Sequence, residues 1–179
     1  MPIRARLPRL NLQPVDELIA VRKQQHGGGR GAPPIIGRER QGAVINKSCV
    51  LMLSALLQGY VEDVFVYASK RLFKTLKGDE VIARYTDTYF RWGNPNNGNI
   101  RRLFQRIGID DVFEGLGWPK CNSTMINKKL QLINEARNKI AHGQPLPETM
   151  SLAKVQNLRN FADQFGQRFA AHVQSKLPA

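Results

Sequence analysis

Hydrophobic residues recur at intervals of three or four along most of this chain, and no segment shows the strict alternation typical of a half-buried β-strand. The longest periodic segment runs from about Ala43 to Lys77, without proline and with Gly59 as its one internal glycine. This pattern predicts one very long helix. Between Cys49 and Leu57 the segment is hydrophobic nearly all round, as in helices that neighbours cover on most sides. We therefore expect this helix to form the centre of the fold.

Five shorter segments show the same helical periodicity. They span residues 12–25, 79–89, 100–107, 123–142 and 149–175. Ser123 or Thr124 is the expected N-cap of the fourth, and Gly143 with the prolines after it is its expected end. Residues 26–36 contain four glycines and two prolines, so we expect a mobile loop there. The sequence thus predicts an all-α bundle of four or five principal helices around a long central helix.

Length and charge add to this picture. The 179 residues, 42% of them hydrophobic, indicate a single folded domain. Within it, we expect residues 1–37 to supply an N-terminal helix and a glycine- and proline-rich loop, and residues 38–179 to form the helical bundle. The 27 lysines and arginines against 14 aspartates and glutamates give a net charge of +13. Such a surface attracts polyanions, either nucleic acid or anionic lipid.

Other features exclude several kinds of protein. The most apolar run, Cys49–Leu57, is interrupted by Ser54 and is shorter than the roughly 20 residues that cross a bilayer. No apolar stretch typical of a secretory signal follows the N-terminal arginines. Cys49 and Cys121 form no CxxC pair, and the three histidines are not grouped with them at ligand spacing. We therefore expect a cytoplasmic protein without membrane segment, disulfide scaffold, metal or cofactor, in which Cys49 is a packed thiol.

The predicted helix 123–142 carries a permanent cation among its hydrophobic residues. At 100° per residue its apolar side chains fall in one stripe about 120° wide. They are Ile126, Leu130, Ile133, Ala136 and Ile140. Arg137 falls inside this stripe. Because an arginine does not lose its proton, it needs a carboxylate, an anionic ligand or an exit to solvent.

Beside the stripe lies a polar lane of Asn134, Asn138 and His142, each four residues from the next. Arg137 and His142 are five residues apart, which is about 140° and 7.5 Å along a regular helix. They reach one group only if the helix loosens at its end, or if two copies meet across a two-fold axis. The second route predicts a homodimer. Since the helix C-terminus favours an imidazolium and nearby arginines oppose it, His142 suits a general acid or base.

A purely structural explanation accounts for the same residues. Arg137 would then pair with Glu62 or Asp63 on the long helix, and His142 would be a C-terminal residue favoured by the helix dipole. Spacing alone leaves both explanations open.

The end of this helix resembles a known signature. The segment Arg137-Asn-Lys-Ile-Ala-His142-Gly, which follows Leu132–Ala136, is similar to the Arg-x4-His motif of HEPN domains, including the polar residue directly after the arginine. Residues 46–64 resemble the long early helix of the RiboL-PSP-HEPN branch, and residues 93–112 resemble its middle insert. The resemblance covers about residues 38–175.

The resemblance implies a four-helix bundle that dimerises, so that two motifs share one basic cleft, and in many members a metal-independent endoribonuclease. His142 would take the proton of the RNA 2′-OH or protonate the leaving 5′-oxygen, while Arg137 stabilises charge on the phosphoryl oxygens. Asn138 would orient the histidine or bind the phosphate. The sequence departs from the family pattern at Gln58, where many relatives have an acidic residue, and whether Glu62 or Asp63 takes over the pairing with Arg137 stays open. Supporting polar residues are Glu62, Asp63 and Asn134.

Further basic residues fit a track for RNA. They are Arg91, Arg101, Arg102, Arg106 and Lys139, with Trp92 available to stack on an unpaired base. The ordinary explanation is that the arginines from position 101 to 106 form the solvated face of a short helix, that Trp92 anchors its loop, and that Lys139 pairs with Glu135. His26 and His172 are expected to be surface histidines.

Two functions from different classes follow. The first is a ribonuclease of toxin or antiviral-defence type that leaves a 2′,3′-cyclic phosphate. It would act on RNA as a homodimer, with an antitoxin or another defence protein as partner. The second is a non-catalytic HEPN-like module that binds RNA or a protein through the same groove. An intact Arg137 and His142 favour the first.

Overall fold

The computed structural model describes residues 6–25, 33–37, 39–73, 75–89, 92–146 and 148–178. Within these ranges the chain forms six helices and one two-stranded antiparallel hairpin. In chain order they are α1 (Gln13–Gln25), β1 (Ile35–Ile36), β2 (Glu39–Arg40), α2 (Ala43–Leu72), α3 (Asp79–Tyr89), α4 (Asn97–Gln105), α5 (Ser123–Ala141) and α6 (Leu152–Ser175). The predicted all-α helical bundle is confirmed.

The long helix α2 is the central element, as the sequence predicts. Its 30 residues extend about 45 Å. Helices α1, α5 and α6 pack against it. Its buried residues run from Asn46 and Cys49 near its start to Ala68 and Ser69 near its end. Burial raises the pKa of the Cys49 thiol, as expected of a packed cysteine.

Helix α2 ends at Leu72, five residues before the predicted end at Lys77. At the next residue the backbone leaves helical geometry, with φ −109° and ψ 96°. Helix α3 folds back at this point, so that Tyr85 stacks on Phe65 at 6.1 Å and donates to the Ser69 hydroxyl at 2.9 Å. The chain must leave α2 early to make this contact, which a periodic pattern along one segment does not reveal.

By length and composition, α2 is also apolar enough to cross a membrane, with a mean hydropathy of 1.6 over its most apolar window. Half of that window is buried inside the protein. The core helix of a soluble protein meets the same criteria. The expectation of no membrane segment therefore stays a prediction.

Tyr60 joins α2 to α6 through its hydroxyl. The hydroxyl donates to Gly166 O at 2.7 Å and accepts from the Ala170 N–H at 3.2 Å. It thus contacts the N–H and the carbonyl of two α6 residues that are four apart, the spacing of one helical hydrogen bond. Burial raises the pKa of this phenol to about 12. The core around it is filled by aromatic rings of Phe104, Phe113, Phe161, Phe165 and Phe169.

Helices α4, α5 and α6 each begin at a side-chain cap. Asn96, Asn122 and Ser151 are these caps, and each side chain accepts a hydrogen bond from the amide three residues further on. Asn122 thus takes the role that the sequence assigns to Ser123 or Thr124. The predicted start at 100 is three residues late for α4, and that at 149 is three residues early for α6. The caps, rather than the hydrophobic stripe, set the first turn.

Helix α1 contributes to the same core as the other helices, through Val15 and Ile19. Arg159 of α6 holds it from outside by a two-point ion pair with Asp16, both contacts at 2.8 Å. Most of the loop predicted for residues 26–36 lies outside the described residues. Of its described residues, 33 and 34 lie outside any helix or strand, whereas residues 35–36 pair with residues 39–40 in the hairpin, which the sequence does not predict.

Candidate active site at the end of α5

The Arg-x4-His motif occupies the last turn of α5. His142 is the C-cap, with φ −97° and ψ 11°, and its backbone N–H donates to Asn138 O at 3.1 Å. Gly143 follows with φ 64°, a conformation that glycine adopts without strain, and it ends the helix where the sequence predicts. The His142 side chain is exposed. The regular helix therefore stops at the histidine, which leaves the imidazole in solvent.

Arg137 is half-buried and carries no carboxylate partner. Its Nη1 donates to Asn138 Oδ1 at 3.1 Å, and no ion pair joins it to Glu62, Asp63 or any other described residue. The ion pair of Arg137 with Glu62 or Asp63, which the purely structural explanation requires, is therefore not formed in the described part of the chain. A guanidinium has five N–H donors, and the structure uses one of them here. The remaining donors suit an anionic ligand.

Asn138 is held by a loop between α3 and α4. The Asn94 Nδ2 donates to Asn138 Oδ1 at 2.9 Å, so this oxygen accepts from Asn94 and Arg137 together. Asn99 Nδ2 donates in turn to Asn94 O at 2.9 Å. Arg102 Nη2 donates to Asn99 Oδ1 at 3.1 Å and is exposed. One chain of hydrogen bonds thus connects the motif to a basic residue of α4.

Sequence reasoning missed Asn94. It lies in the run Gly93-Asn-Pro-Asn-Asn-Gly-Asn, which composition marks as turn-rich and nothing more. The number of asparagines in this run was the one signal in the sequence that could have indicated a hydrogen-bonding role for the loop. Which of its amides reaches α5 depends on the packing of two distant segments, 44 residues apart in sequence.

Trp92 and Glu62 fix the start of the same loop. The indole Nε1 donates to Glu62 Oε1 at 3.0 Å, and Gln58 Nε2 donates to the same oxygen at 3.1 Å. Trp92 is 7% exposed. The indole is thus buried and hydrogen-bonded here, as the loop-anchor explanation expects, and its role as a stacking surface for a base stays a prediction. Glu62 serves this anchor and not Arg137.

The remaining polar candidates differ in exposure. Asp63 is exposed, and partial desolvation together with the charge of Glu62 raises the pKa of its carboxyl. Asn134 is 6% exposed, and its buried Oδ1 has no hydrogen-bond partner in the structure. The polar lane therefore runs from a buried Asn134 through a half-buried Asn138 to an exposed His142, without side-chain hydrogen bonds between its members in the described region.

The basic residues of the predicted track fall into different environments. Arg101 is half-buried, pairs with Asp111 at 3.2 Å and lies over the Phe113 ring at 5.7 Å, so it is part of the packing of α4. Arg102 and Arg106 are exposed. Arg91 lies outside the described residues.

Lys139 is half-buried near the motif. The expected ion pair with Glu135 is not formed, since Glu135 accepts instead from Gln131 at 2.7 Å. Lys139 thus remains close to Arg137 and His142 along α5, where its charge adds to theirs.

His172 is not a surface histidine. It is half-buried on α6, with Nε2 3.1 Å from Val112 O. Burial first, and the charge of Lys176 second, lower the pKa of its imidazole. It contributes to packing between α6 and the segment before α5. His26 lies outside the described residues.

The fold and the site together define an all-α bundle that presents an Arg-x4-His motif at the end of its fifth described helix. No group of three or more histidine, cysteine, aspartate or glutamate side chains within the described ranges is placed to hold a metal ion. The family model described as RiboL-PSP-HEPN matches residues 16–175, which is most of the chain. The chain therefore belongs to the RiboL-PSP-HEPN family.

Family membership narrows the function. HEPN domains are nuclease or RNA-related modules, and the family generally consists of ribonucleases. No curated protein matches the chain, and no solved structure matches it. The coarse assignment to nuclease or RNA-related modules thus rests on the family.

Proposed function

We propose that this chain is a metal-independent endoribonuclease of toxin or antiviral-defence type that acts through Arg137 and His142. One observation carries the proposal. Arg137 is half-buried and has no carboxylate partner among the described residues. It lies at the end of the same helix as an exposed histidine, in a member of a family that generally consists of ribonucleases. A structural arginine would have been expected to find a carboxylate.

The reaction needs no group beyond the two side chains and the RNA. His142 removes the 2′-OH proton, the 2′-oxygen forms a bond to phosphorus, and the bond to the 5′-oxygen breaks, with a proton returned to that oxygen. The products are a 2′,3′-cyclic phosphate and a 5′-hydroxyl. Whether His142 or its copy in a second chain returns the proton does not alter this balance. Arg137 stabilises the charge that gathers on the phosphoryl oxygens.

The Arg137 guanidinium, which has no carboxylate partner among the described residues, would attract a phosphate group electrostatically. A phosphate oxygen about 4 Å from it would be attracted by about 4 kcal/mol at an effective dielectric constant near 20. It would also supply acceptors for the N–H donors that Asn138 does not use. Asn138 keeps the guanidinium in place, because its own oxygen is fixed by Asn94.

Positive charge near the motif supports the binding of RNA there. The chain carries +13, and the exposed Arg102 is linked to the motif through Asn99 and Asn94. Arg106 is exposed on the same helix end, and Lys139 adds charge on α5. Binding should therefore weaken steeply with salt, as phosphate contacts require.

A homodimer is part of the proposal. Met125 and Leu132 are 43% and 47% exposed, and their seven-residue spacing places them on one face of α5. Two exposed apolar side chains on the helix that carries the motif support contact between two copies there. Such a contact would bring two motifs near one cleft. An antitoxin or another defence protein would regulate the enzyme in the cytoplasm.

The proposal is tested with purified wild type, Arg137→Ala and His142→Ala on mixed RNA in excess chelator. Each variant should lose cleavage by at least about 100-fold, the usual contribution of such groups. Circular dichroism should show unchanged helix content, because both side chains are at least partly exposed. Lys128→Ala is the matched control, since it removes an exposed charge from the other end of α5. Near wild-type cleavage by either active-site variant would refute the assignment.

A second function, a non-catalytic module that binds RNA or a protein, is favoured by one observation. The His142 imidazole makes no hydrogen bond to another described residue, so no described side chain or backbone group orients it. In that case wild type would bind RNA without cutting it, and Arg137→Ala would weaken binding. The same assay, with an electrophoretic binding measurement added, separates the two functions.

A further inference from the structure

Arg22, in the last turn of α1, is a buried cation that has no partner within the described part of the chain. Its side chain is 5% exposed, and its Nε is fully buried with no hydrogen-bond partner. No ion pair or hydrogen bond joins its guanidinium to any other residue that the structure describes. An arginine cannot escape this cost by losing its proton, and an uncompensated buried charge is strongly destabilising. A negative partner is therefore expected.

The guanidinium lies against the N-terminus of α2. A methyl group at Gly42, the N-cap of α2, would lie 2.3 Å from Arg22 Nε and 2.6 Å from its Cζ. Glycine is required at this position for two reasons, since its φ is 79° and its missing side chain leaves the space that the guanidinium fills. Any other residue would push Arg22 away.

This helix end is itself positive and uncapped. No side chain caps α2, and its first turn contains no acidic residue. The amides of Ala43, Val44 and Ile45 make no hydrogen bond with another part of the described chain. Because α2 has 30 residues, its aligned peptide dipoles place a positive partial charge here. A cation and a helix N-terminus thus meet without a negative charge between them.

Neighbouring groups do not supply that charge. Glu39, the acidic residue of the adjoining hairpin, is paired with Lys47. Asn46 Nδ2 donates to Met150 O at 2.8 Å, which brings the start of α6, another helix N-terminus, close to the same turn. The C-terminal dipole of α1 favours a cation in its last turn, but no carbonyl of that turn accepts from Arg22 Nε.

We propose that the junction of Arg22 with the N-terminus of α2 binds a phosphate group. Phosphate oxygens accept two parallel hydrogen bonds from a guanidinium and further bonds from helix N-terminal amides. The guanidinium donors and the amide donors, both without partners among the described residues, would share one phosphate group. The phosphate belongs either to a free phosphate or nucleotide, or to the backbone of a bound RNA. This site contains neither Arg137 nor His142, so it stands independently of the proposed cleavage.

The test is a titration of isotope-labelled wild type with inorganic phosphate, at ionic strength held constant with sodium chloride. The amide signals of Ala43, Val44 and Ile45 should shift and saturate together. At ten times the dissociation constant the thermal midpoint should rise by about 3–6 °C. Absence of saturable shifts at these amides in wild type, with inorganic phosphate and also with the mononucleotide and the RNA described below, would overturn the proposal.

Variants separate the site from general charge effects. Arg22→Met should abolish both the amide shifts and the stabilisation, whereas Lys23→Met, which removes an exposed charge one residue away, should preserve both. Arg22→Lys keeps the charge without the two-point geometry and should bind at least tenfold more weakly. If Arg22→Met does not fold, the Arg22→Lys comparison decides. Equal phosphate responses in wild type and Arg22→Lys would contradict the assigned geometry.

The source of the phosphate is distinguished with two further probes. A mononucleotide carries a phosphate monoester, and a short RNA without terminal phosphates carries only diesters. Saturation by both probes assigns the backbone of RNA, and saturation by the mononucleotide alone assigns a small ligand. Both results support a phosphate site. A failure of all three phosphate probes would refute it and would leave the cleavage proposal untouched.

Discussion

At the scale of single residues, Asn138 connects Arg137 of the candidate site to the loop between α3 and α4. Its oxygen accepts from Arg137 on its own helix and from Asn94 on a loop that α2 anchors through Glu62 and Trp92. An acceptor shared by two donors restricts both of them. The loop therefore positions the arginine through Asn138.

Asn94→Ala should lower the rate of RNA cleavage by about five- to tenfold, which corresponds to the loss of one hydrogen bond worth about 1 kcal/mol. The turnover number should fall while the Michaelis constant stays nearly constant, because Asn94 positions Arg137 only through Asn138. Steady-state kinetics on a defined RNA measure this difference.

Asn97→Ala is the matched control for this change. It alters the same residue type three positions further on, and the Asn97 side chain makes no hydrogen bond with another described residue. Its turnover number should remain close to wild type. If both variants lose the same activity, the loop as a whole matters and the specific contact from Asn94 does not.

Sequence spacing was sufficient to place Arg137 and His142 at the end of a helix, because periodicity and a glycine stop are local signals. Sequence spacing did not predict the environment of Trp92, because its indole bonds to Glu62, which is 30 residues away in the sequence. The same limit explains the unformed pair of Arg137 with Glu62. A carboxylate can accept hydrogen bonds from several nearby donors, and the tertiary packing determines which of them lies within bonding distance.

At the scale of elements, the contact of α2 with α6 holds the bundle together around Tyr60. Its hydroxyl contacts both the Ala170 N–H and the Gly166 carbonyl oxygen, two backbone groups of α6 that lie four residues apart. Close packing supports this arrangement at Gly166, where a methyl group would lie 2.7 Å from Leu10 Cβ.

Tyr60→Phe should lower the free energy of unfolding by about 1 kcal/mol. The loss is small for a buried hydroxyl because the Ala170 N–H and the Gly166 carbonyl, four residues apart in α6, are placed to bond each other without the tyrosine oxygen. Urea unfolding followed by circular dichroism measures the change. Tyr67→Phe is the control, since Tyr67 is equally part of α2 and buried, but its hydroxyl has no partner in the described region. A larger loss for Tyr67→Phe than for Tyr60→Phe would contradict this account.

The helices themselves were predictable from the sequence, and their ends less so. The centres of the six helices coincide with hydrophobic stripes, and α2 was correctly expected at the core. The ends depend on side-chain caps such as Asn122 and on contacts such as Tyr85 with Phe65, which terminate or start a helix inside a continuous pattern. Arg22 was missed because its environment is made by Gly42, 20 residues away in the chain.

At the scale of the whole molecule, the proposal joins two copies through α5. Leu132 is 47% exposed and lines a cavity of about 320 Å³ with Leu146, Met150 and Leu158. An exposed leucine beside an apolar cavity, on the helix that carries the motif, is a suitable contact for a second chain.

Light scattering should therefore give about twice the chain mass of 20.2 kDa. Leu132→Glu should convert the dimer to a monomer and reduce RNA cleavage, because a buried charge opposes the contact. Val81→Glu is the control, since Val81 is 45% exposed on α3, away from α5. A wild-type monomer at micromolar concentration that still cleaves RNA would contradict the shared cleft.

The most direct test of the central claim uses one RNA strand in two forms, in excess chelator. The first form is all-ribose, and the second carries a single 2′-deoxy substitution at the nucleotide that wild type cleaves. The account predicts a 2′,3′-cyclic phosphate and a 5′-hydroxyl from the first form, and no cleavage at that position in the second, with binding nearly unchanged because the protein contacts phosphate first. Equal cleavage of both forms would contradict attack by the 2′-OH, and with it the roles of Arg137 and His142.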